Sequence, residues 1–340
     1  MGVQIFDILP KKEIEIEDLS GKTIAVDAFL WLHQFLSIIR QPDGTPLMDS
    51  KGRVTSHLSG IFYRSSRLIE NGIKLVFVFD GPMHKFKAST VEERKNLKEK
   101  AKIKWQEALD AGDIVGARKA AQATSHLTSE MIEESKLLLE YMGIPVIQAP
   151  SEGEAQCAYL CQKNFVYGVS SQDSDSLLFN SPRLIRNLSM TGKRKLPRQG
   201  TYIEIKPEVI ELANALKELK ITREQLIIIG LLIGSDYNPG IRGYGPKKAL
   251  ELVAKEKTLK NVLKKIEWNY ETPAEEIYDF YLNPPVERNV GIEFKPAQPE
   301  EILKFMVDEH EFSQERIEKI IKILTQAKAN SQKSLGSWIK

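Results

Sequence analysis

Short apolar runs alternate along the chain with stretches of helical periodicity. The runs are rich in β-branched residues and predict buried strands at 22–27, 74–80, 145–148 and 166–170. Helical patterns follow at 29–40, 56–70, 128–141, 152–163 and 223–233, and the chain past Asp236 is mainly helical. Strands that alternate with helices are typical of a parallel sheet. The pattern therefore predicts an α/β fold with a central, mostly parallel sheet flanked by helices.

Residues 85–126 have a helical pattern without a strong apolar face. Such a segment suits an arch or lid that projects from the core better than an element of the core. Its first half is basic, because eight lysines and arginines between positions 85 and 104 outweigh three glutamates. A solvated surface helix would explain this charge, but the segment directly follows a predicted strand end. An arch that steers a polyanion is the alternative.

Composition is that of an ordinary globular protein, with 340 residues, 42% hydrophobic and 28% charged residues. The net charge of +2 does not identify a polyanionic partner. Cys157 and Cys161 lie one helical turn apart in an apolar helix, where two buried thiols are expected. We expect a reducing, intracellular location, because no disulfide framework, signal peptide or membrane-spanning run is evident.

Acidic residues follow several of the predicted strands. Asp27 and Asp80 end two of them, and in open α/β sheets ligands bind at the carboxyl ends of the strands. A single aspartate in such a position could simply cap the next helix. Further acids follow the other strands or an apolar helix: Glu152, Glu154, Asp173, Asp175 and Asp236. Glu152 and Glu154 also suit a helix start capped by Ser151, but helix capping does not explain Asp173 and Asp175.

Acids gathered from five segments at one sheet edge would repel each other and raise each other's pKa unless cations lay among them. Hard oxygen ligands select Mg²⁺, with Mn²⁺ as a substitute, and no cluster of histidines and cysteines indicates zinc. Several carboxylates suit a pair of ions that activate water and stabilise the leaving oxygen of a phosphodiester. The acids therefore predict a magnesium-dependent phosphodiesterase.

Six stretches carry a close resemblance to a known family: MGVQIFDILP, VDAFLW, TSHLSGIFYRSSRLIENGIKLVFVFDG, APSEGEAQCAYL, VSSQDSDSLLF and IGSDYNPGIRGYGPKKALELV. Over essentially its whole length the chain resembles the archaeal flap structure-specific endonucleases of the XPG/Rad2 superfamily. The resemblance implies a PIN-like 5′-nuclease fold with a helical arch and a helix–two-turn–helix element. It also implies that all seven acids listed above bind two Mg²⁺ ions, and that Lys87 and Arg94 of the arch contact the scissile phosphate.

Several other residues match DNA-binding positions of this family. The loop after Asp236 is rich in glycine, so its amides can approach phosphate, and the resemblance implies that it grips duplex DNA around a K⁺ ion. His33 stands where many relatives have a tyrosine that stacks on a base, although a histidine with no special role is the alternative. The full expected set is His33, Arg40, Arg64, Gly240, Arg242, Gly243, Gly245, Lys247 and Lys248. A basic stretch at 183–198, with Gly192 and Pro197, suggests a hairpin loop near the duplex.

The chain ends in a polar segment that nevertheless contains a tryptophan. It resembles the box that binds the DNA sliding clamp (PCNA), through Gln332, Leu335, Trp338 and Ile339. Ile339 replaces the usual aromatic residue. The resemblance implies a single nuclease domain at 1–327, with an N region to about 98, the arch at about 84–127, an internal nuclease region at about 116–258 and a helical part at about 259–327. A flexible tail at 328–340 would follow.

The predicted function is that of a monomeric 5′-flap endonuclease, with 5′–3′ exonuclease activity, that acts on branched DNA in Okazaki fragment maturation and base-excision repair. Three alternatives are open. A 5′ exonuclease or junction resolvase of the same superfamily would use the same acids. A clamp-tethered DNA-binding scaffold would have no reason to keep all seven. An aspartyl-phosphate phosphatase would need a second acid at the Asp27-Ala28-Phe29 segment, which lacks one.

Overall fold

The computed structural model describes residues 3–190, 192–195 and 202–336, of which 88–95, 193–195, 202–203 and 327–336 are described by their backbone alone. A seven-stranded sheet lies at the centre of the fold. Its strands are β1 Lys12–Glu13, β2 Thr23–Asp27, β3 Lys74–Phe79, β4 Val146–Gln148, β5 Gly168–Ser170, β6 Arg183–Arg186 and, after a separate hairpin of β7 Gly192–Lys195 with β8 Tyr202–Ile205, β9 Glu208–Glu211. The four predicted strands are all present, each one or two residues shorter than expected.

The strand order is β1-β9-β6-β5-β2-β3-β4. The five strands from β6 to β4 are parallel, whereas β9 pairs antiparallel with both β6 and β1. The prediction of a mostly parallel sheet is therefore confirmed. The carboxyl ends of β2, β3, β4 and β5 lie side by side at one edge, and this edge receives the segments that carry the acids.

The helices cover both faces of the sheet. They are α1 Ala28–Ile38, α2 Ser56–Glu70, α3 Ala88–Asp110, α4 Ile114–Gln122, α5 Ser129–Tyr141, α6 Gly153–Gln162, α7 Asp175–Leu178, α8 Leu212–Leu219, α9 Arg223–Ile233, α10 Pro246–Glu256, α11 Leu259–Leu263, α12 Ala274–Leu282, α13 Pro299–Leu303 and α14 Gln314–Gly336. A π-helical turn spans Lys304–Glu309, and 3₁₀ turns span Ile16–Leu19, Lys85–Lys87 and Leu188–Met190. The five predicted helices agree with the structure to within two residues at each end.

The central strands are buried on both faces, which explains their continuous apolar runs. In β2, Ile24 and Val26 pack into a core formed with α1, α2, α5, α13 and α14. Ala25, between them, points to the opposite face and packs with Cys157 and Cys161 of α6. Both thiols are free and buried, as predicted. A further core lies under α7, α9, α10 and α12.

The basic stretch at 183–198 is divided between two structures. Glycine at position 192 begins the predicted hairpin, β7–β8. Arg183 and Arg186 instead belong to β6 of the central sheet, and they pair with Glu211 at 3.4 Å and with Glu208 at 2.8 Å. The prediction that this stretch forms a hairpin loop was therefore wrong for these two arginines, which lie in a strand. Their acidic partners come from β9, a strand that the sequence pattern did not predict.

The region 85–126 is helical, as predicted. Its two helices, α3 and α4, pack against each other and rest on the loop that follows α1. There the indole of Trp105 donates to the carbonyl of Asp43 at 3.1 Å. At Gly44, with a φ of +92°, a Cβ would lie 2.6 Å from the side chain of Ala121, so only glycine fits beside α4.

The chain past Asp236 is largely helical, and α14 continues to Gly336. The backbone of Gln332 and Leu335 is therefore helical, while their side chains lie outside the described part of the chain, as do Trp338 and Ile339. The proposed division into domain, arch and tail stays a prediction. No helix within the described ranges combines the length and the apolar content needed to cross a bilayer.

Candidate active site

The structure brings all seven predicted acids together in one cleft of about 310 Å³. The cleft lies at the carboxyl ends of the parallel strands. Asp27 ends β2, Asp80 follows β3, and the other five come from the segments after β4, β5 and α9. His33 and Lys87 line the same cleft. Acids separated by more than 200 positions in the sequence thus meet because parallel strands end at a common edge.

Two of the acids also stabilise the starts of helices. Asp27 is the N-cap of α1, and its Oδ1 accepts from the amide of Leu30 at 3.1 Å. Helix capping and a place in the cleft were alternatives in the sequence, and the structure shows both. Asp80 Oδ1 accepts from the amide of Gly153 at 2.7 Å. A Cβ at Gly153 would lie 2.5 Å from that oxygen, so glycine allows Asp80 to approach the start of α6.

Ser151 was expected to cap α6, and this expectation was wrong. The N-cap of α6 is Glu152, which makes no capping hydrogen bond with its side chain. The Ser151 hydroxyl is buried and has no hydrogen-bond partner among the described residues. Asp80 therefore takes the role that local sequence assigned to Ser151, because it approaches from a neighbouring strand.

Neutral donors orient two further acids of the cleft. Asp175 Oδ1 accepts from the amide of Val3 at 2.7 Å, so the N-terminal segment supports the site. Glu154 Oε1 accepts from the hydroxyl of Ser171 at 2.8 Å. The same hydroxyl accepts from the amide of Asp173 at 3.1 Å. These contacts orient the carboxylates without neutralising their charge.

Burial and mutual repulsion raise the pKa of several acids in the cleft. Burial raises the pKa of Asp175 to about 7, and the neighbouring Asp236 adds to this. Burial raises the pKa of Asp80 to about 6, against the opposing effect of Lys87. The pKa of Asp27 and that of Glu154 are well above the usual range for the same reason, and the like charges that raise them most are Asp80 and Asp175 respectively. Cations are therefore needed to keep this group ionised near neutral pH.

Lys87 places one cation in the cleft. Its Nζ lies 2.5 Å from Glu152 Oε2 and 3.6 Å from Asp236 Oδ2, and 5.6 Å from the centre of the Tyr237 ring. Burial lowers the pKa of this ammonium, but the negative charges of Glu152 and Asp236 raise it by more, so the net shift of the pKa is upward. Lys87 is therefore protonated, and among the described side chains that line the cleft it is the one ammonium beside seven acids.

The donor set fits Mg²⁺. Carboxylate oxygens predominate, and these are the ligands that Mg²⁺ prefers, usually together with several waters. Within the described ranges, no three His, Cys, Asp or Glu side chains are already drawn together in the geometry of a metal site. The fit therefore rests on the chemistry of the donors and on their elevated pKa values.

The predicted duplex-binding loop connects α9 to α10. Gly240 has a φ of +81°, and a Cβ there would lie 2.1 Å from the carbonyl of Ile233, so the turn requires glycine. The Tyr270 hydroxyl donates to the Gly240 carbonyl. Gly243, at φ +89°, has open space around it. Gly245 is the N-cap of α10, and Lys247 and Lys248 lie in its first turn.

Part of this loop forms a second concavity, of about 560 Å³. Arg242, Gly243 and Lys248 line it together with Tyr244, Glu251, Leu252 and Lys255, of which the last four were not predicted. The basic residues there lie beside backbone that can approach a phosphate closely. Gly240 does not line this surface, and its role in the described contacts is to shape the turn.

The remaining predicted DNA-contact residues are placed differently. Arg40 is half-buried and donates from Nε to the Leu36 carbonyl at 2.7 Å and from Nη1 to the Gly44 carbonyl at 2.9 Å. These bonds hold the loop that follows α1, on which α3 and α4 rest. Burial lowers the pKa of Arg64, with a smaller effect from Arg67. The side chain of Arg94 lies outside the described part of the chain, so its role stays a prediction.

Some residues of the site were missed in the sequence. Gly153 stands between two acids, and a glycine at a helix start beside carboxylates could have indicated a close approach. Ser171, next to the Asp173 segment, could have been found in the same way. Tyr237 and the amide of Val3 gave no local signal, since their roles depend on contacts between distant segments.

Comparisons with known proteins agree with this geometry. The XPG N-terminal domain matches residues 1–101 and the XPG I-region matches residues 143–236. The chain is 54% identical over 342 residues to flap endonuclease 1 of Pyrococcus furiosus, with 100% of both chains covered. The solved structure of flap endonuclease-1 from Methanococcus jannaschii is 41% identical with a TM-score of 0.78, and the match covers 97% of this chain and all of that one.

A third match is the catalytic core of Rad2 in complex with a DNA substrate, 27% identical with a TM-score of 0.72, covering 95% of this chain and all of that one. The fold and the acid cleft place this protein among the XPG-type nucleases. More narrowly, the chain belongs to the flap endonuclease 1 family. The resemblance seen in the sequence and the predicted fold class are thereby confirmed.

Proposed function

We propose that this protein is a structure-specific 5′-flap endonuclease that cleaves branched DNA near the junction of single strand and duplex. The observation that carries the proposal is the cleft of seven acids with Lys87 among them, in a chain of the flap endonuclease 1 family. The proposal includes a 5′–3′ exonuclease activity and action on RNA primer strands. It also includes roles in Okazaki fragment maturation and base-excision repair.

Two Mg²⁺ ions, replaceable by Mn²⁺, would be held by Asp27, Asp80, Glu152, Glu154, Asp173, Asp175 and Asp236. When bound, they would supply an activated water for in-line attack and stabilise the departing 3′ oxygen. Products would carry a 5′-phosphate and a 3′-hydroxyl. The elevated pKa values of Asp80 and Asp175 support this assignment, because they reflect burial beside like charges. Paired cations would allow these crowded carboxylates to be ionised together in one cleft.

Lys87 has the charge and the position to offset negative charge on the phosphate during the reaction. Its ammonium is already at the cleft and only 17% of its side chain is exposed. Because it is protonated there, it donates to oxygen and cannot act as a base. Arg94, seven positions further along the arch, would contribute in the same way.

DNA would be held at the loop between α9 and α10, with Gly240, Arg242, Gly243, Gly245, Lys247 and Lys248 at the phosphates of the uncleaved duplex and a K⁺ ion bound by carbonyls. The concave surface beside Arg242 and Lys248 supports this placement. His33 lines the catalytic cleft, where its ring could stack on a base next to the cut. Arg40 and Arg64 would lie near the substrate, although two N–H groups of Arg40 already donate to nearby backbone carbonyls.

The direct experiment compares cleavage of 5′-flap, nicked and four-way junction DNA with Mg²⁺. We expect the flap to be cut fastest, near the junction. Preferred symmetric cutting of four-way junctions would instead favour a junction resolvase. Binding of branched DNA with no cleavage of any substrate would favour a clamp-tethered scaffold.

The C-terminal Gln332, Leu335, Trp338 and Ile339 would bind the sliding clamp (PCNA), and the enzyme would act as a monomer in the cytoplasm at the nucleoid. Removal of residues 332–340 should abolish stimulation of cleavage by the clamp and spare basal cleavage. Stimulation that survives this deletion would contradict the clamp assignment.

A further inference from the structure

The root of the arch rests on an aromatic cluster that the catalytic assignments leave unexplained. We call His84, Phe86, Tyr237, Phe280 and Tyr281 the root cluster. His84 and Phe86 directly precede Lys87 at the start of the arch, Tyr237 follows Asp236, and the other two belong to α12. Phe280, Tyr237 and Tyr281 are at most 7% exposed. Three distant segments therefore meet beside Lys87.

Rings of the root cluster contact each other closely. The His84 and Phe280 rings are tilted by 36° with centroids 4.3 Å apart, and His84 and Phe86 are also 4.3 Å apart. Phe280 lies 6.1 Å from Phe86 and 5.2 Å from Tyr237, in both cases edge to face. Edge-to-face and offset pairs at these distances are favourable beyond the area they bury. Phe280 therefore contacts both the turn that carries Lys87 and the segment that carries Asp236 and Tyr237.

The backbone between His84 and Lys87 is fixed by the same residues. The amide of Phe86 donates to His84 Nδ1 at 3.4 Å, and the amide of Lys87 donates to the His84 carbonyl at 3.0 Å. An ion pair of Lys85 with Glu276, at 3.7 Å, ties the turn to α12 a second time. The direction in which the Lys87 side chain leaves the turn thus depends on packing against α12.

Tyr237 completes the positioning of the ammonium. Its ring lies 5.6 Å from Lys87 Nζ, within the range of a cation–π contact. The ring is itself held by Phe280 and by Tyr281, at 5.4 Å. A lysine side chain is long and flexible, so without these ring contacts its ammonium would occupy many positions. Charge stabilisation in catalysis depends on groups that are already in place.

We propose that Phe280 and Phe86 are positioning residues that hold the Lys87 ammonium at the reacting phosphate. The inference rests on the proposed function of Lys87 and extends it to α12, a helix that contributes no residue to the catalytic cleft. Neither phenylalanine touches the substrate in this proposal. Their substitution should therefore reduce the rate of the chemical step and leave the affinity for DNA unchanged.

The test is single-turnover cleavage of a 5′-flap substrate at saturating enzyme, together with DNA affinity measured in Ca²⁺. Phe280→Leu should lower the rate roughly tenfold, since a misplacement of about 1 Å can cost about a hundredfold and leucine keeps part of the packing. DNA affinity should stay within about twofold. In a Lys87→Met background, Phe280→Leu should lower the rate by less than about a further twofold, because the ammonium that Phe280 positions is then absent. Phe86→Leu should behave in the same way.

Phe305→Leu is the matched control, because Phe305 is a 4% exposed aromatic residue of another core and also packs on a histidine. It should leave the rate unchanged. A full tenfold loss from Phe280→Leu in the Lys87→Met background would overturn the positioning role, and so would an equal loss from Phe305→Leu. If Lys87→Met alone leaves the rate unchanged, the proposed function of Lys87 fails instead, which is a distinguishable result.

Discussion

The acid cleft and a second buried polar cluster differ in how their charges are balanced. In the second cluster, Glu134 of α5 lies between His57 of α2 and His310, which follows the π-helical turn. Glu134 Oε2 accepts from His57 Nε2 at 2.9 Å, and its Oε1 lies 3.7 Å from His310 Nε2. Both imidazoles are at most 3% exposed, and burial lowers the pKa of His310. One carboxylate is thus shared by two imidazoles.

The cleft has the opposite balance, since the described side chains that line it include seven carboxylates and one ammonium. Burial lowers the pKa of His310 in the second cluster and raises the pKa of Asp175 in the acid cleft, and in both cases it favours the neutral form. In the second cluster the one carboxylate lies between two imidazoles of the protein itself, whereas the crowded acids of the cleft need cations from outside. A buried polar cluster that the protein alone cannot neutralise is the better candidate for a functional site.

The largest effect should come from Asp175→Asn. We expect flap cleavage in Mg²⁺ to fall at least about a thousandfold, because the variant loses a carboxylate ligand worth several kcal/mol in the transition state. Without metal, the same variant should be more stable than the parent at pH 8, because a repelling charge is gone. Cleavage rates and urea unfolding check the two parts. Undiminished cleavage would contradict the metal assignment.

Glu134→Gln should have a large effect on stability and none on catalysis. The amide nitrogen of glutamine would face one of the imidazole donors, which leaves a buried donor unpaired at a cost of about 1–3 kcal/mol. Urea unfolding should show this loss. Cleavage per folded molecule should match the parent, and a loss of cleavage comparable to that of Asp175→Asn would remove the contrast between the two clusters.

Lys87→Met should strengthen the binding of Mg²⁺ to the protein without DNA. The ammonium competes with a metal ion for Glu152 and Asp236, so its removal should increase affinity about threefold to tenfold. Isothermal titration calorimetry measures this. Lys136→Met is the matched control, because Lys136 also pairs with a glutamate and lies 5.4 Å from an aromatic ring. An unchanged or weakened affinity in Lys87→Met would argue against the competition.

The smallest effect concerns pH. The pKa of Asp80 and that of Asp175 are raised to about 6 and about 7, so the folded protein binds more protons than the unfolded chain in this range. Their contribution to stability is fully present below the ordinary aspartate pKa of 3.8 and is lost progressively as the pH rises through about 6 and about 7. In EDTA we expect the Tm to fall by about 2–4 °C between pH 5 and pH 8. Calorimetry should show that Mg²⁺ reverses the fall.

Asp175→Asn serves as the control for this pH effect, because it removes one of the two titrating groups. Its Tm in EDTA should depend less on pH than that of the parent. A metal-free parent protein that gains stability between pH 5 and pH 8 would show that groups outside the cleft control the dependence.

Local patterns were sufficient for much of the fold. The apolar runs of β2 and β3 and the periodicity of α2 and α9 predicted these elements almost to the residue, since burial on two faces or on one leaves a direct pattern. The short antiparallel strands β1 and β9 were missed. They are the last two strands at one side of the sheet, and they pair with each other across more than 190 positions.

The acids of the site were also visible in the sequence, because a carboxylate directly after a buried strand is expensive unless it has a role. Asp27, Asp80 and Asp175 could therefore be identified before any contact was known. Their shared cleft followed from one topological rule, that parallel strands end at the same edge of a sheet. Residue type and position in the strand determined the chemistry of the site.

Only the tertiary structure decided how the single ammonium is placed among those acids. The contact of Lys87 with Glu152 and Asp236, and the support of its root by Phe280, join segments from four parts of the chain. The same holds for the bond from the Val3 amide to Asp175 and for the sharing of Glu134 by two imidazoles. Pattern and spacing report which side chains are buried. Which distant groups meet is set by packing between elements, and that information is absent from any local stretch of sequence.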